Sequence, residues 1–224
     1  MKKVIISFVL LVGLFSSVSA QTDKTKLSLQ VSDAAKANRA QLANYVWTRT
    51  VQVFLNGELK NTIVSSLSIG PDGKIVTTAV SATPTSEPPG GIRGNIAKKK
   101  IAEMKTYVDD AITVSAGYLY LSPGKMLDFF NAAGISQSAQ TITVSGSNVN
   151  KPNDQLVLNL TAGTLAYISQ TFKSTVTNGD AIAGQVNYKT FSNGLTAIDN
   201  STLDLPAKNV KLIISNSNYA QKLK

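Results

Sequence analysis

The side chains that most often carry out catalysis near neutral pH are missing from this sequence. Its 224 residues contain no histidine and no cysteine. Histidine is the commonest general base and metal ligand, and cysteine supplies thiol nucleophiles, thiolate metal sites and redox pairs. The composition therefore excludes triads built on histidine and thiol chemistry of any kind. We expect a protein that is not an enzyme and that has no cofactor and no metal site.

Paired carboxylates are a remaining way to perform hydrolysis, because glycosidases place two of them on either side of a scissile bond. The 13 acidic residues are scattered, and several fall in predicted turns, as Asp72, Asp154 and Asp180 do. Asp109 and Asp110 are adjacent on a predicted helix, so they point in different directions. This pattern favours a solvated helix face over a catalytic pair.

Residues 90–94, Gly-Gly-Ile-Arg-Gly, lead into a predicted helix and resemble an anion cradle in outline. They lack the spacing of a phosphate-binding P-loop. The start of a helix with Arg93, Lys98 and Lys99 nearby could contact a phosphate or carboxylate. The alternatives are a plain loop and a solvated lysine face.

The first 20 residues have the three parts of a secretory signal peptide. Lys2 and Lys3 precede an apolar run over residues 4–15, and Val18-Ser19-Ala20 then offers small residues for cleavage. The run is shorter than the ~20 residues needed to span a bilayer. We expect residues 1–20 to be removed and residues 21–224 to form one domain. That domain is exported to the periplasm or the medium, is not transmembrane and does not meet nucleic acid.

The mature chain carries 20 basic and 13 acidic residues, because two lysines leave with the signal. Its net charge of +7 serves solubility or attracts the protein to an anionic envelope surface. Both interpretations stay open.

Periodicity predicts the elements that position these residues. Residues 21–31 are interpreted as a polar lead-in and 32–44 as a helix capped by Ser32-Asp33. A three-stranded meander follows over 45–55, 58–69 and 74–83, with hairpin signals at Asn56-Gly57 and residues 71–73. On its first strand Trp47, Val51, Val53 and Leu55 point one way, with Arg49 among them. Two amphipathic helices (95–115 and 122–133) precede six strands near 141–149, 155–161, 165–176, 181–191, 195–204 and 208–215.

The predicted fold class is therefore α+β. One strongly curved antiparallel β-meander sheet of about nine strands forms a half-barrel, and amphipathic helices cover its concave face. The space between helices and sheet could hold an apolar ligand. The residues expected to line it are Trp47, Met104, Met126, Phe129 and Phe130. The alternative is a filled core, and we hypothesise that Phe130→Ala costs less than the 3–5 kcal/mol typical of such a core.

Several segments carry a resemblance to known proteins: Tyr45-Val46-Trp47-Thr48, the turn at residues 70–74, the basic helix start at 94–105, and the segments 205–208 and 216–219. Together they resemble an uncharacterised family of secreted bacterial envelope proteins. In layout the chain is also distantly similar to the periplasmic lipoprotein carriers and receptors of the LolA and LolB group. That resemblance implies a curved sheet covered by helices and brings no functional residues with it.

These observations leave two main functions. The first is an exported envelope protein that binds an apolar or acylated ligand, a lipid or a lipoprotein, in the concavity. The second is a structural or interaction module with a filled core and no small ligand. A hydrolase ranks third, and an outer-membrane barrel ranks last because it would not need two amphipathic helices.

Overall fold

The computed structural model describes the backbone of residues 3–84 and 91–222, and the side chains of residues 23–78, 80–81, 95–96 and 98–222. The first helix, α1, spans Lys3–Leu42. The predicted lead-in and the cap at Ser32-Asp33 are therefore wrong, since both lie inside this helix. In the part of the chain that is described, no helix is both long and apolar enough to cross a membrane.

A three-stranded antiparallel meander follows α1, as predicted. Its strands are β1 (Tyr45–Leu55), β2 (Glu58–Ile69) and β3 (Ile75–Pro84). The first hairpin turn has φ of 52° at Asn56 and 80° at Gly57. Positive φ at both central residues is what an Asn-Gly turn supplies at little strain, so this short signal located the hairpin correctly.

Two helices separate this meander from the rest of the sheet. Helix α2 spans Gly91–Leu119 and α3 spans Pro123–Ala132. The Ser122 side chain accepts a hydrogen bond from the Lys125 amide at 3.4 Å, with Pro123 at the first helical position. Both features were expected from the sequence, because proline lacks the amide proton that the first turn leaves unbonded.

The remaining strands form a second meander of seven. They are β4 (Gly134–Gln137), β5 (Thr141–Ser147), β6 (Gln155–Thr161), β7 (Tyr167–Thr175), β8 (Ala181–Thr190), β9 (Thr196–Leu205) and β10 (Val210–Gln221). A 3₁₀ turn, Pro206–Lys208, joins the last two.

The two meanders form one sheet because β10 returns to pair with β1. The strand order is β3-β2-β1-β10-β9-β8-β7-β6-β5-β4, and every pairing is antiparallel. The α+β class and the curved, open antiparallel sheet with helices against one face are confirmed. The sheet has ten strands where about nine were predicted, since the short β4 was missed.

The core lies between the helices and the inner face of the sheet, in two parts. The main cluster joins α3 and the later half of α2 to alternate residues of β5–β10, with Leu156, Leu160 and Leu212 completely buried. A smaller cluster of Trp47, Leu67 and Ile69 lies on β1 and β2. Helix α1 reaches both, through Val31 in the main cluster and Leu42 against the smaller one.

A candidate binding concavity

The later half of α2 is fixed to the sheet by polar contacts. The Tyr107 hydroxyl donates to Asp180 Oδ2 at 3.1 Å, and Thr177 donates to Asp110 through its amide and its hydroxyl at 2.7 and 2.8 Å. Asp110 keeps much of its contact with solvent, and its carboxylate also joins the helix to the β7–β8 turn. These bonds lower the pKa of Asp110.

Asp154 is the most enclosed carboxylate among the described residues, at 1% exposure. It accepts from the Tyr118 hydroxyl at 2.6 Å and from the amides of Val149, Asn150 and Lys151 at 2.7 to 2.9 Å. Burial alone would raise the pKa of Asp154, but the four hydrogen bonds together lower it. The group therefore holds the end of α2 against the loop before β6.

Helix α1 is also held at several points. Lys24 Nζ donates to the Ala133 carbonyl at the end of α3 at 2.7 Å. Near the other end, Asn38 both donates to and accepts from the Thr196 backbone at 2.7 Å, and Arg39 donates to the Gly73 carbonyl at 2.6 Å. Helix α1 therefore crosses the concave face from α3 to the β2–β3 turn.

The first half of α2 has no comparable attachment among the described residues. Ile96 and Ile101 are 56% and 57% exposed, which leaves two large apolar side chains in solvent. On the inner face of the sheet, Val51 and its cross-strand partner Ile63 are only partly buried. We call the inner face at Val51 and Ile63 the open end of the concavity.

Four of the five residues expected to line a ligand lie together in or against the main cluster, and Trp47 lies apart from them. Met126, Phe129 and Phe130 are 5%, 4% and 0% exposed within the main cluster, so protein atoms surround them. Met104 is partly buried against the same cluster. Trp47 belongs to the smaller cluster, where it stacks on the Tyr219 ring at 5.8 Å.

The predicted anion contacts lie on the first turns of α2. Lys98 and Lys99 are exposed there. Gly90 and the Arg93 side chain lie outside the described residues. The cradle predicted for residues 90–94 therefore stays a prediction.

The structure instead places a different arginine inside the concavity. Arg49 lies on the inner face of β1, two residues from Trp47 and two from Val51 at the open end. Its Nε donates to Asn216 Oδ1 on β10 at 3.1 Å, and its other register neighbour is Ser65 on β2. Sequence reasoning noted the arginine among inward-pointing apolar residues but drew nothing from it.

The sequence reasoning did not identify the Ser-x-x-Lys motif formed by Ser122 and Lys125 at the start of α3. This spacing provides a catalytic dyad in some hydrolases. The Ser122 hydroxyl caps the helix through the Lys125 amide. The Lys125 amine meets Asn150 Oδ1 instead of that hydroxyl, and Ser122 and Lys125 are both exposed. The geometry is that of a helix cap.

An open depression on the opposite side of the sheet is lined by Phe54, Pro206 and Ile213 among others. Asp204 and Lys211 at its wall pair with each other at 3.7 Å. Among the described residues, no three acidic side chains lie close enough to hold a metal ion. Neither the outer depression nor the acidic side chains offer as clear a candidate binding site as Arg49.

Comparison with known proteins gives likeness of structure only. The chain matches no protein-family model, and none of the curated proteins is similar to it. Three solved structures share its layout, each at 9% sequence identity. A DUF1329 family protein from Desulfovibrio piger has a TM-score of 0.42, with 90% of this chain and 93% of that chain covered. A LolA superfamily protein from Nitrosomonas europaea has a TM-score of 0.35 (88% and 94% covered), and an outer-membrane lipoprotein-sorting protein domain from Vibrio parahaemolyticus has one of 0.40 (89% and 95% covered). The predicted resemblance in layout to the LolA group is confirmed, and function is argued below from this chain's own residues.

Proposed function

We propose that this protein is an exported, non-enzymatic binding protein of the bacterial envelope, which holds an apolar or acylated ligand in the concavity. Residues 1–20 act as its signal peptide, and residues 21–224 form the working domain. The ligand lies at the open end of the concavity, between the sheet and the first half of α2.

One observation carries this proposal: two apolar surfaces are left without full cover. Ile96 and Ile101 on α2 are more than half exposed, while Val51 and Ile63 on the sheet are partly buried. Apolar area gains roughly 25 cal/mol per Å² when it leaves water. An acyl chain that contacted both surfaces would take their apolar area out of water and so gain this free energy. Such a ligand would also explain why, among the described residues, the hydrogen bonds that fix α2 come from its later half.

The second candidate, a module with a filled core, is favoured by α3. Phe130 is completely buried and meets Phe129 edge-on with ring centroids 5.8 Å apart. A ligand could reach these rings only if α3 left the sheet. The two candidates therefore divide the concavity, with a filled part under α3 and an open part beside β1 and β2.

Binding of a fluorescent fatty-acyl probe by the mature protein tests the proposal. Ile101→Ser removes an exposed apolar group from α2 and should weaken probe binding about tenfold, because that side chain would no longer be buried by the ligand. Its matched control is Val76→Ser. Val76 is 49% exposed, but its partner Ser68 places it on the opposite face of the sheet from Leu67.

The control variant should bind the probe as the wild type does. Absence of probe binding by the wild type at micromolar protein would contradict the proposal and leave the filled module. Equal weakening by both variants would place the probe on the outer surface instead of in the concavity.

A further inference from the structure

Arg49 is a charged group in a place where charge is costly. Its register neighbours on both sides, Asn216 and Ser65, are 3% and 7% exposed. Burial lowers the pKa of Arg49 from its usual value. An arginine nevertheless stays protonated at neutral pH. An interior cation of this kind normally has a carboxylate partner.

No such partner exists among the described residues. The salt bridges there join other groups, and none includes Arg49. The neighbouring Tyr219 is uncharged at neutral pH, as tyrosine ordinarily is, and burial raises the pKa of its hydroxyl further. That hydroxyl already donates to the Ile198 carbonyl at 2.7 Å. Asp199, which lies near Tyr219, is paired with Lys189 at 3.0 Å.

Arg49 and Asn216 also have hydrogen-bond donors without an acceptor among the described residues. Arg49 uses Nε on Asn216, and its two terminal nitrogens make no hydrogen bond with the described residues. Arg49 is partly buried, and these nitrogens are not among the fully enclosed polar atoms that lack a partner. Asn216 Nδ2, on the same amide group, is enclosed and has no hydrogen-bond partner among the described residues. A buried donor without an acceptor destabilises the folded protein.

We propose that Arg49, held in place by Asn216, binds the oxyanion head group of the acylated ligand, a carboxylate or a phosphate. This inference rests on the proposed function and adds the chemical class of the head group. The planar guanidinium presents two parallel donors to such a group. Val51 is the next inner-face residue on β1, and the apolar surface of the open end begins there. The head group of one amphiphile can therefore bind Arg49 while its acyl chain contacts Val51.

The test compares three probes of equal chain length: a fluorescent fatty acid, its methyl ester and the corresponding alkyl phosphate monoester. The wild type should prefer the anionic probes over the ester. Arg49→Gln should weaken binding of an anionic probe about 10- to 100-fold, the worth of a charge-assisted hydrogen bond. It should leave ester binding unchanged. The fatty acid and the phosphate then show which oxyanion the site prefers.

Lys173→Gln is the matched control, because it removes one positive charge from the exposed outer side of β7. Arg49→Lys keeps the charge and should keep part of the preference if Arg49→Gln misfolds. Equal binding of ester and acid by the wild type, or equal losses in Arg49→Gln and Lys173→Gln, would overturn the head-group assignment while leaving the proposed function intact. Failure of the wild type to bind any of the three probes would overturn both.

Discussion

Truncation of Phe130 to alanine measures how completely the covered part of the concavity is filled. The ring is 0% exposed, so the change exposes an apolar surface that the folded protein had removed from water. Loss of transfer free energy contributes about 2 kcal/mol. A void on the order of 90 Å³, at about 24 cal/mol per Å³, adds about 2 kcal/mol more. The expected cost is about 4 kcal/mol, which is higher than the sequence-based hypothesis of a ligand lid would give.

Urea unfolding followed by tryptophan fluorescence is the assay, with Trp47 as the natural reporter. The midpoint should fall while the slope with denaturant stays constant. Leu127→Ala on the same helix is the control, since Leu127 is only partly buried and should cost about 1 kcal/mol. A loss below about 1.5 kcal/mol for Phe130→Ala would refute a filled region under α3 and restore the lid.

Three further predictions follow from other parts of the chain. Gly184→Ala should lower the free energy of unfolding by at least about 3 kcal/mol, because the new Cβ would lie 2.1 Å from Phe172 Cε1. In the control Gly163→Ala the new Cβ meets nothing within 4 Å, so the free energy of unfolding should change by less than about 0.5 kcal/mol. Asp154→Asn should cost about 2–3 kcal/mol at pH 7. Because the folded-state pKa of Asp154 is lowered, its carboxylate contributes its full stabilisation above pH ~4. In urea titrations the difference from Asp154→Asn should shrink progressively as the pH falls from that value through the lower folded-state pKa. Amino-terminal sequencing of the exported protein should begin at Gln21, and material that retains the first 20 residues would contradict the signal peptide.

Local signals in the sequence were enough for most of the architecture. The Asn56-Gly57 turn required positive φ at two consecutive residues, and the proline after Ser122 fixed the start of α3. The start of α1 was misplaced because a Ser-Asp pair is a common cap but is also tolerated inside a helix. The short β4 was missed because four residues after a helix carry too little periodicity to detect.

The candidate site could not be predicted in the same way. Arg49 meets Asn216 across 167 positions of sequence, and that contact exists only because β10 pairs with β1. Whether Arg49 has a counter-ion among the described residues depends on every neighbouring strand and helix at once. A single charged residue at an inward position was the available signal, and periodicity alone cannot show whether such a charge is paired. Aromatic residues on α3 were a stronger signal, but they lie in a packed core.

The most direct test of the account is mass spectrometry, under non-denaturing conditions, of the protein purified from its own host. We expect a species heavier than the chain beginning at Gln21, and organic extraction should release one acyl-bearing anion per protein molecule. Arg49→Gln purified in parallel should carry less of it. An unliganded wild-type mass, together with no binding of the fatty-acyl probes in solution, would contradict the binding function.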